Sequence, residues 1–371
     1  MIRVLHSVSN MDRAGIETML MNYYRHMDRS KVQFDFLCNK TKPGAYDEEI
    51  RQLGGKIYHT PGLNPAKYPQ YLKYMEHIFA AEPGYQIVEA HNGALGVYAL
   101  HAAKVNHIPN RIFHAHGASI TKDWKLPLKL VCKALLPSNM NRHFTCGVAA
   151  AECYFGKKAV EAGDYELIPN AIEVDRFQFD PEARLRLRKA NGLEGSHVIG
   201  HVGRFMAQKN HTFLLDVFAQ YSQLDKQSRL VLLGDGELMD EMRQKARKLG
   251  IAERVLFAGN VGNANEWYQA FDCFVLPSLW EGLPVVGVEA QAADLPCIFS
   301  SHVTREIGFS QRAQFVPLQG EIQAWVMALQ KALENQERRD VSRLISEHHY
   351  DISVEAARLQ NRYLEMAGES L

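Results

Sequence analysis

Short runs rich in β-branched and aromatic residues alternate along this chain with stretches whose apolar positions recur every three or four residues. In the first half the runs cover residues 2–6, 32–38, 56–59, 86–91, 111–116 and 143–146. In the second half they cover 197–202, 229–233, 254–257, 272–276, 296–300 and 314–316. Between them Ile16, Met19, Leu20 and Tyr23, then Leu95, Tyr98, Ala99 and Ala102, and later Phe213, Leu214, Val217, Phe218 and Tyr221 fall on helical stripes. Strand and helix in strict alternation predict an α/β fold: doubly wound parallel sheets with helices on both faces. A polar stretch from 173 to 196, dense in charge at Arg184, Arg186, Arg188 and Lys189, separates two such series. It predicts two Rossmann-like domains, 1–172 and 173–351. Ligands of open α/β sheets bind beyond the carboxyl ends of the strands, so two facing domains would line a cleft with the loops that follow them.

Composition narrows the class of function. With 371 residues, 46% hydrophobic and 23% charged, the chain has ample apolar surface for two cores and is neither disordered nor fibrous in composition. Lys and Arg total 42 against 42 Asp and Glu, so no global field draws nucleic acid, and any anion site must be local. The six cysteines form no C-x-x-C pair, and several stand in apolar runs, where buried free thiols are expected. The N-terminus lacks a basic segment followed by an apolar one, and no apolar run reaches the ~18 residues of a membrane span. A cytoplasmic location is expected.

Candidate chemistry clusters after strands. Beyond the run ending at Leu276, Pro277 to Glu289 places Glu281 in a loop, Pro284 in the first turn of a helix and Glu289 on that helix. Two acids so separated cannot share a proton. They can instead grip hydroxyls at two ends of an elongated ligand, with helix-start amides facing an anion between them, or Glu281 can cap a turn while Glu289 is solvated. Gly203, Arg204 and Lys209 follow the run ending at Val202, and two cations at one strand end suit a diphosphate whose departure builds negative charge. Near the N-terminus Gly15 in Ser9–Glu17 allows close approach of backbone to a ligand, and His116 before Gly117 ends another strand. Asp235 and Glu237 sit where a strand turns into a helix, where capping explains them better than a metal. No Asp-x-Asp, H-E-x-x-H, Walker A or G-x-S-x-G occurs, so the usual ligands of metal-bridged nucleotide chemistry and the nucleophile of serine hydrolysis are missing.

Gly203-Arg204-Phe205 with Lys209, Leu233-Gly234-Asp235-Gly236, and Pro277-Ser278 through Glu281 and Glu289 resemble the family 4 glycosyltransferases of the GT-B fold. Ala14-Gly15-Ile16-Glu17, Ile168-Pro169-Asn170-Ala171 and Val255–Gly259 fall in the family's order, so the resemblance spans nearly the whole chain, and it points to bacterial members that build capsular or exopolysaccharide units. It implies retaining, metal-independent transfer from a nucleotide sugar such as a UDP-sugar to a saccharide acceptor, one carried on a lipid, with an N-terminal acceptor domain and a C-terminal donor domain. By position, Glu281 would hold the donor sugar, Glu289 the ribose, Arg204 and Lys209 the diphosphate, Gly203 and Gly15 the loops around the phosphates, His116 the sugar near the reacting carbon, and the amides at Gly282 and Leu283 the sugar and phosphate. It also implies that a C-terminal helix, residues 352–371, returns to the first domain. The family's pattern is broken at Ala14, Ala171 and Asp294, where glycine is usual. A nucleotide-sugar 2-epimerase or an inactive sugar-binding relative shares the architecture; Glu281 and Glu289 with Arg204 and Lys209 favour transfer. Finally, Lys125, Lys129 and Lys133 recur at steps of four in a segment, 124–136, that is otherwise rich in Leu and Trp. Such a helix would rest on an anionic leaflet at the inner face of the membrane, or pack in the core with a solvated lysine edge.

Overall fold

The computed structural model describes residues 1–120, 123–320 and 322–369. The chain divides into two compact units, Met1–Ala171 together with the C-terminal segment from Ile352, and Ile172–Asp351. Each is built on one parallel sheet. In the first, β1 (Ile2–Val8), β2 (Val32–Cys38), β3 (Ile57–His59), β4 (Tyr85–Ala90), β5 (Asn110–Ala115), β6 (Arg142–Thr145) and β7 (Glu166–Leu167) lie in the order 3-2-1-4-5-6-7. In the second, β8 (His197–Val202), β9 (Ser228–Leu233), β10 (Val255–Gly259), β11 (Cys273–Leu276), β12 (Cys297–Ser300) and β13 (Ala313–Val316) lie in the order 10-9-8-11-12-13. In both, the order reverses beside the first strand, between β1 and β4 and between β8 and β11. Loops diverge there, and a crevice opens at the carboxyl ends of the strands.

Strands buried on both faces read as near-continuous apolar runs, because successive side chains feed opposite cores. Val4, Phe36, Ile87 and Ile112 join one core of the first unit, while Leu5, Leu37, Val88 and Phe113 join the other. In the second unit Val198, Val231 and Phe274 face one side, and Ile199, Leu230, Leu232 and Val275 the other. The two-residue β7 carried no readable period. Cys38, Cys132, Cys146, Cys273 and Cys297 are buried, Cys153 is half-buried, and all six are free thiols.

The charged stretch 173–196 is not an extended linker. It contains the helix Pro181–Ala190, started by Asp180, whose Oδ1 accepts from the amides of Glu182 at 2.8 Å and Ala183 at 3.0 Å. From that helix Arg184 and Arg188 reach the buried carboxylate of Asp272, so these charges belong to the packing of the second unit.

The helix Ile352–Met366 packs in the first unit against the helix Gly15–His26. Gln360 Oε1 accepts from the amide of Asp28 at 2.7 Å, Arg362 pairs with Glu166 at 2.6 Å, and Tyr363 donates to the buried Glu89 at 2.6 Å. The partly exposed Arg362–Glu166 pair adds little. The buried apolar contacts of Ala356, Leu359, Tyr363 and Leu364 carry the docking.

Candidate active site

Two loops of the second unit meet at its crevice. After β8 the chain runs through Gly203, Arg204 and Phe205 into a single 3₁₀ turn, Ala207–Lys209, and then into the helix His211–Leu224. After β11 it runs through Ser278 to Gly282 into the helix Val285–Ala292. Asn210 joins the turn to its helix at φ +56°, a left-handed conformation that Asn tolerates better than most residues. Its Nδ2 donates to Pro277 O at 3.2 Å, Leu279 N donates to Gln208 O at 2.8 Å, and Gln208 Nε2 donates to Trp280 O at 2.9 Å. The loops are thereby stitched together before any ligand arrives.

Inside this stitch Glu281 accepts from three side chains: Lys209 Nζ at 2.6 Å and Ser278 Oγ at 2.7 Å on Oε1, and Gln208 Nε2 at 3.1 Å on Oε2. The side chains of Lys209 and Glu281 are only 15% and 8% exposed, so their attraction is screened far less than that of a surface pair. Lys209 and Glu281, from different strand ends, thus form one unit that combines a fixed acceptor for a hydroxyl with a cation beside it. Arg204 differs. Its side chain is 68% exposed and, among the described residues, pairs only with Glu237, at 3.3 Å, a surface contact worth about 0–1 kcal/mol that an arriving anion readily displaces.

A third loop presses from below. Gly203 N donates to Leu233 O at 2.9 Å and Phe205 N to Asp235 O at 3.0 Å. Gly234 has φ +130°, and a Cβ there would stand 2.2 Å from Gly203 O. The Gly234-Asp235-Gly236 element is therefore what lets the β9 loop lie under the Gly203–Phe205 backbone. Asp235 and Glu237 do not cap the next helix, contrary to the sequence expectation. Its cap is Leu238, with no side-chain bond, while Asp235 Oδ1 accepts from Gly236 N at 2.7 Å and Glu237 faces Arg204.

Glu289 lies on the helix Val285–Ala292, half-buried, and accepts from Tyr268 Oη at 2.7 Å. Burial raises its pKa, offset in part by the tyrosine hydrogen bond and by Arg176. It shares no bond with Glu281. Pro284 is the residue before that helix rather than its first turn, Gly282 is half-buried beside Glu281, and Leu283 packs into the core. Gln208, Asn210 and Ser278 stand inside the stretches singled out in the sequence but carry no role of their own there, because a lone polar residue gains meaning only from the loop it meets.

In the first unit Gly15 opens the helix Gly15–His26, and a Cβ there would meet nothing within 4 Å, so packing within the unit does not demand a glycine. His116 stands one residue beyond β5 and lines a hollow of about 280 Å³ with Ser9, Asn92, Gly93, Ser119 and Tyr154. Among the described residues both polar atoms of the Asn92 amide are buried without hydrogen-bond partners. Two groups, His91/His114/His116 and His6/Glu89/His91, each hold three metal-ligand atoms within 4.8 Å of one another. Their nitrogens already hydrogen-bond to one another: His6 Nδ1 to His91 Nε2 at 3.0 Å and His91 Nδ1 to His116 Nε2 at 2.9 Å.

Comparison with known proteins gives this arrangement its class. Residues 14–171 match the family model described as glycosyl transferase 4-like domain, and residues 196–335 match that of glycosyl transferases group 1. EpsF of Bacillus subtilis (strain 168), a protein assigned to the glycosyltransferases, is 35% identical over 97% of this chain and 96% of its own. A UDP-Gal:alpha-D-GlcNAc-diphosphoundecaprenol alpha-1,3-galactosyltransferase of Escherichia coli is 30% identical over 78% of this chain and 76% of its own. Among solved structures, HepE from Anabaena in complex with UDP and glucose superposes with a TM-score of 0.79 at 16% identity, covering 98% of this chain and all of that one. The chain belongs to the group 1, 4-like glycosyltransferases, and its two Rossmann-like units form a GT-B fold.

Proposed function

We propose that this glycosyltransferase moves a sugar, with retention of anomeric configuration, from a UDP-sugar to a saccharide acceptor carried on a lipid diphosphate, in the assembly of a surface polysaccharide. The observation that carries the reading is the Lys209–Glu281 unit at the β8/β11 crevice, with the loosely held Arg204 beside it. Glu281 accepts from hydroxyls of the donor sugar, and Glu289 from those of the ribose. Lys209 and Arg204 meet the charge that develops on the departing diphosphate, helped by first-turn amides of the helix Val285–Ala292. His116 takes the role that the family resemblance gives it, a hydrogen bond to the sugar. The UDP donor is supported by the names of the galactosyltransferase and HepE relatives, and the lipid diphosphate by the former alone. Release of UDP from a panel of UDP- and GDP-sugars, with and without a polyprenyl-diphosphate saccharide, tests donor and acceptor together. Acceptor-dependent release from a GDP-sugar alone would refute the UDP assignment.

With two cations and a helix start facing the diphosphate, the reaction needs no divalent ion. Activity in EDTA is expected to stay within about twofold of that without it, since no charge-stabilising group of the site is removed. Loss in EDTA that Mg²⁺ or Mn²⁺ restores would contradict this.

The acceptor reaches the protein at a membrane surface through the helix Leu126–Leu135. Trp124, Leu130, Val131 and Leu135 are exposed, at 85%, 51%, 59% and 49%, while Cys132 alone of the helix is buried. An apolar hollow of about 460 Å³, lined by Tyr68, Val97, Tyr98, Leu128, Val131 and Leu135, opens beside it. The even edge of three lysines expected from the sequence is not realised: Lys129 is only 16% exposed and pairs with Asp123 at 2.8 Å. Lys125 lies over the Trp124 ring and Lys133 over Tyr154. Apolar insertion therefore outweighs charge. Trp124→Ala with Val131→Ser is expected to abolish co-sedimentation with anionic vesicles, and Lys125→Glu with Lys133→Glu to weaken it only at low salt. Undiminished binding of the Trp124/Val131 variant would remove this helix as the anchor.

A further inference from the structure

Four histidines and one glutamate sit at the ends of β1, β4 and β5, and three of the histidines form a line of hydrogen bonds from the core to the hollow. His6, fully buried, begins it with its ring 4.1 Å from that of Phe34 and 5.8 Å from that of Phe36. His6 Nδ1 meets His91 Nε2 at 3.0 Å, and His91 Nδ1 meets His116 Nε2 at 2.9 Å. Among the described residues His116 Nδ1 has no partner in the chain, and His116 lines the hollow. Burial pushes the pKa of His6 down to about 4, and those of His91 and His116 well below the usual imidazole range. All three rings are therefore neutral near pH 7, and each carries one N–H and one bare nitrogen.

A line of neutral imidazoles can point its protons only one way or the other, and its buried end decides which. Among the described residues His6 Nε2 is buried without any partner. A proton there would be an orphaned donor among aromatic rings, whereas a bare nitrogen there is an unfilled acceptor, which folded proteins tolerate more often. The proton of His6 therefore sits on Nδ1 and is donated to His91 Nε2. His91 must then carry its own proton on Nδ1 and donate it to His116 Nε2. His116 is left with its proton on Nδ1. Glu89, the nearest acid, does not reverse this order. It is filled by Tyr363 Oη at 2.6 Å and His114 Nδ1 at 2.8 Å, and stands 3.5 Å from His91 Nε2, beyond a good hydrogen bond. His114 follows the same rule, with its Nε2 bare and buried.

We propose that His6 and His91 are positioning residues that lock His116 as its Nδ1–H tautomer, making it a fixed hydrogen-bond donor toward an oxygen of the bound ligand rather than a base. The assignment of that ligand as the donor sugar rests on the function proposed above; the tautomer does not. No bond is made or broken in this role: the line orients one N–H, as the partner of a catalytic imidazole does.

Nitrogen NMR of the full-length chain labelled at histidine tests this without substrate. His116 is expected to show a protonated Nδ1 and a bare Nε2. In His91→Gln the amide can still donate to His116 Nε2 and accept from His6 Nδ1, so the same signature should persist. In His91→Leu, and in His6→Leu, the tautomers of His116 should mix. In transfer assays kcat of His91→Leu should fall about tenfold, with KM for the donor within about twofold, while His91→Gln should recover to within about threefold of wild type. A protonated Nε2 in wild-type His116, or an unchanged tautomer in folded His91→Leu, would overturn the proposal. If the leucine variants do not fold, the wild-type spectrum decides alone. The expected tautomer in a chain that releases no nucleotide from any donor would sustain this proposal and defeat the functional one.

Discussion

Glu281→Ala and Lys209→Ala are each expected to lower kcat/KM by about 10²–10³-fold, the usual consequence of removing one preorganised electrostatic contact from a water-poor site. The geometry makes the two losses dependent on each other. Glu281 holds Lys209, Ser278 and Gln208, so truncating it frees the lysine as well as removing the acceptor proposed for the sugar. The double variant should therefore lose much less than the product of the two single losses, because each single change already disables the shared unit. Arg204→Ala should also slow turnover, with the smallest effect on folding, since its pair with Glu237 is exposed on both sides. Steady-state rates of purified variants, with circular dichroism to confirm folding, check all of this. Near-normal rates in all three single variants would eliminate the site.

The largest stability effect is expected at Asp272→Ala. This carboxylate is 3% exposed, pairs with Arg184 and, at 2.6 Å, with Arg188, and accepts from the amide of Val198 at 2.7 Å. The charged stretch 173–196 is thus fastened to the starts of β8 and β11 through one buried acid. Removing it leaves the Arg188 guanidinium, whose side chain is 13% exposed, without its counter-charge and an amide without its acceptor. Breaking one side of a buried pair commonly destabilises by about 3–5 kcal/mol. For a unit of this size that lowers the thermal midpoint by roughly 10 °C. Arg186→Ala, which removes an exposed pair with Glu266, should change stability by less than about 1 kcal/mol. Urea denaturation distinguishes them, and equal midpoints for the two variants would refute the clamp.

Much of this molecule was legible before any coordinate. The α/β class followed from strand-length apolar runs alternating with helical stripes, since parallel strands buried on both faces and their covering helices each write a distinct period into the chain. The strand-end placement of Arg204, Lys209 and Glu281 was legible for the same reason: a loop that follows an apolar run announces its position. What could not be read was which loops touch. Lys209 and Glu281 are separated by 72 residues, and only the reversal of strand order between β8 and β11 makes them one ion pair, with Gln208, Asn210 and Ser278 recruited around it. The stretch 173–196 read only as a polar boundary between two series, because its arginines face a partner, Asp272, that lies far along the chain. His6 read as an ordinary strand residue, and only parallel pairing of β1 with β4 and of β4 with β5 sets it in line with His91 and His116. Periodicity is a local property and survives in the sequence. Hydrogen bonds between distant side chains depend on strand order and register, which many sequences share and only the folded sheet selects.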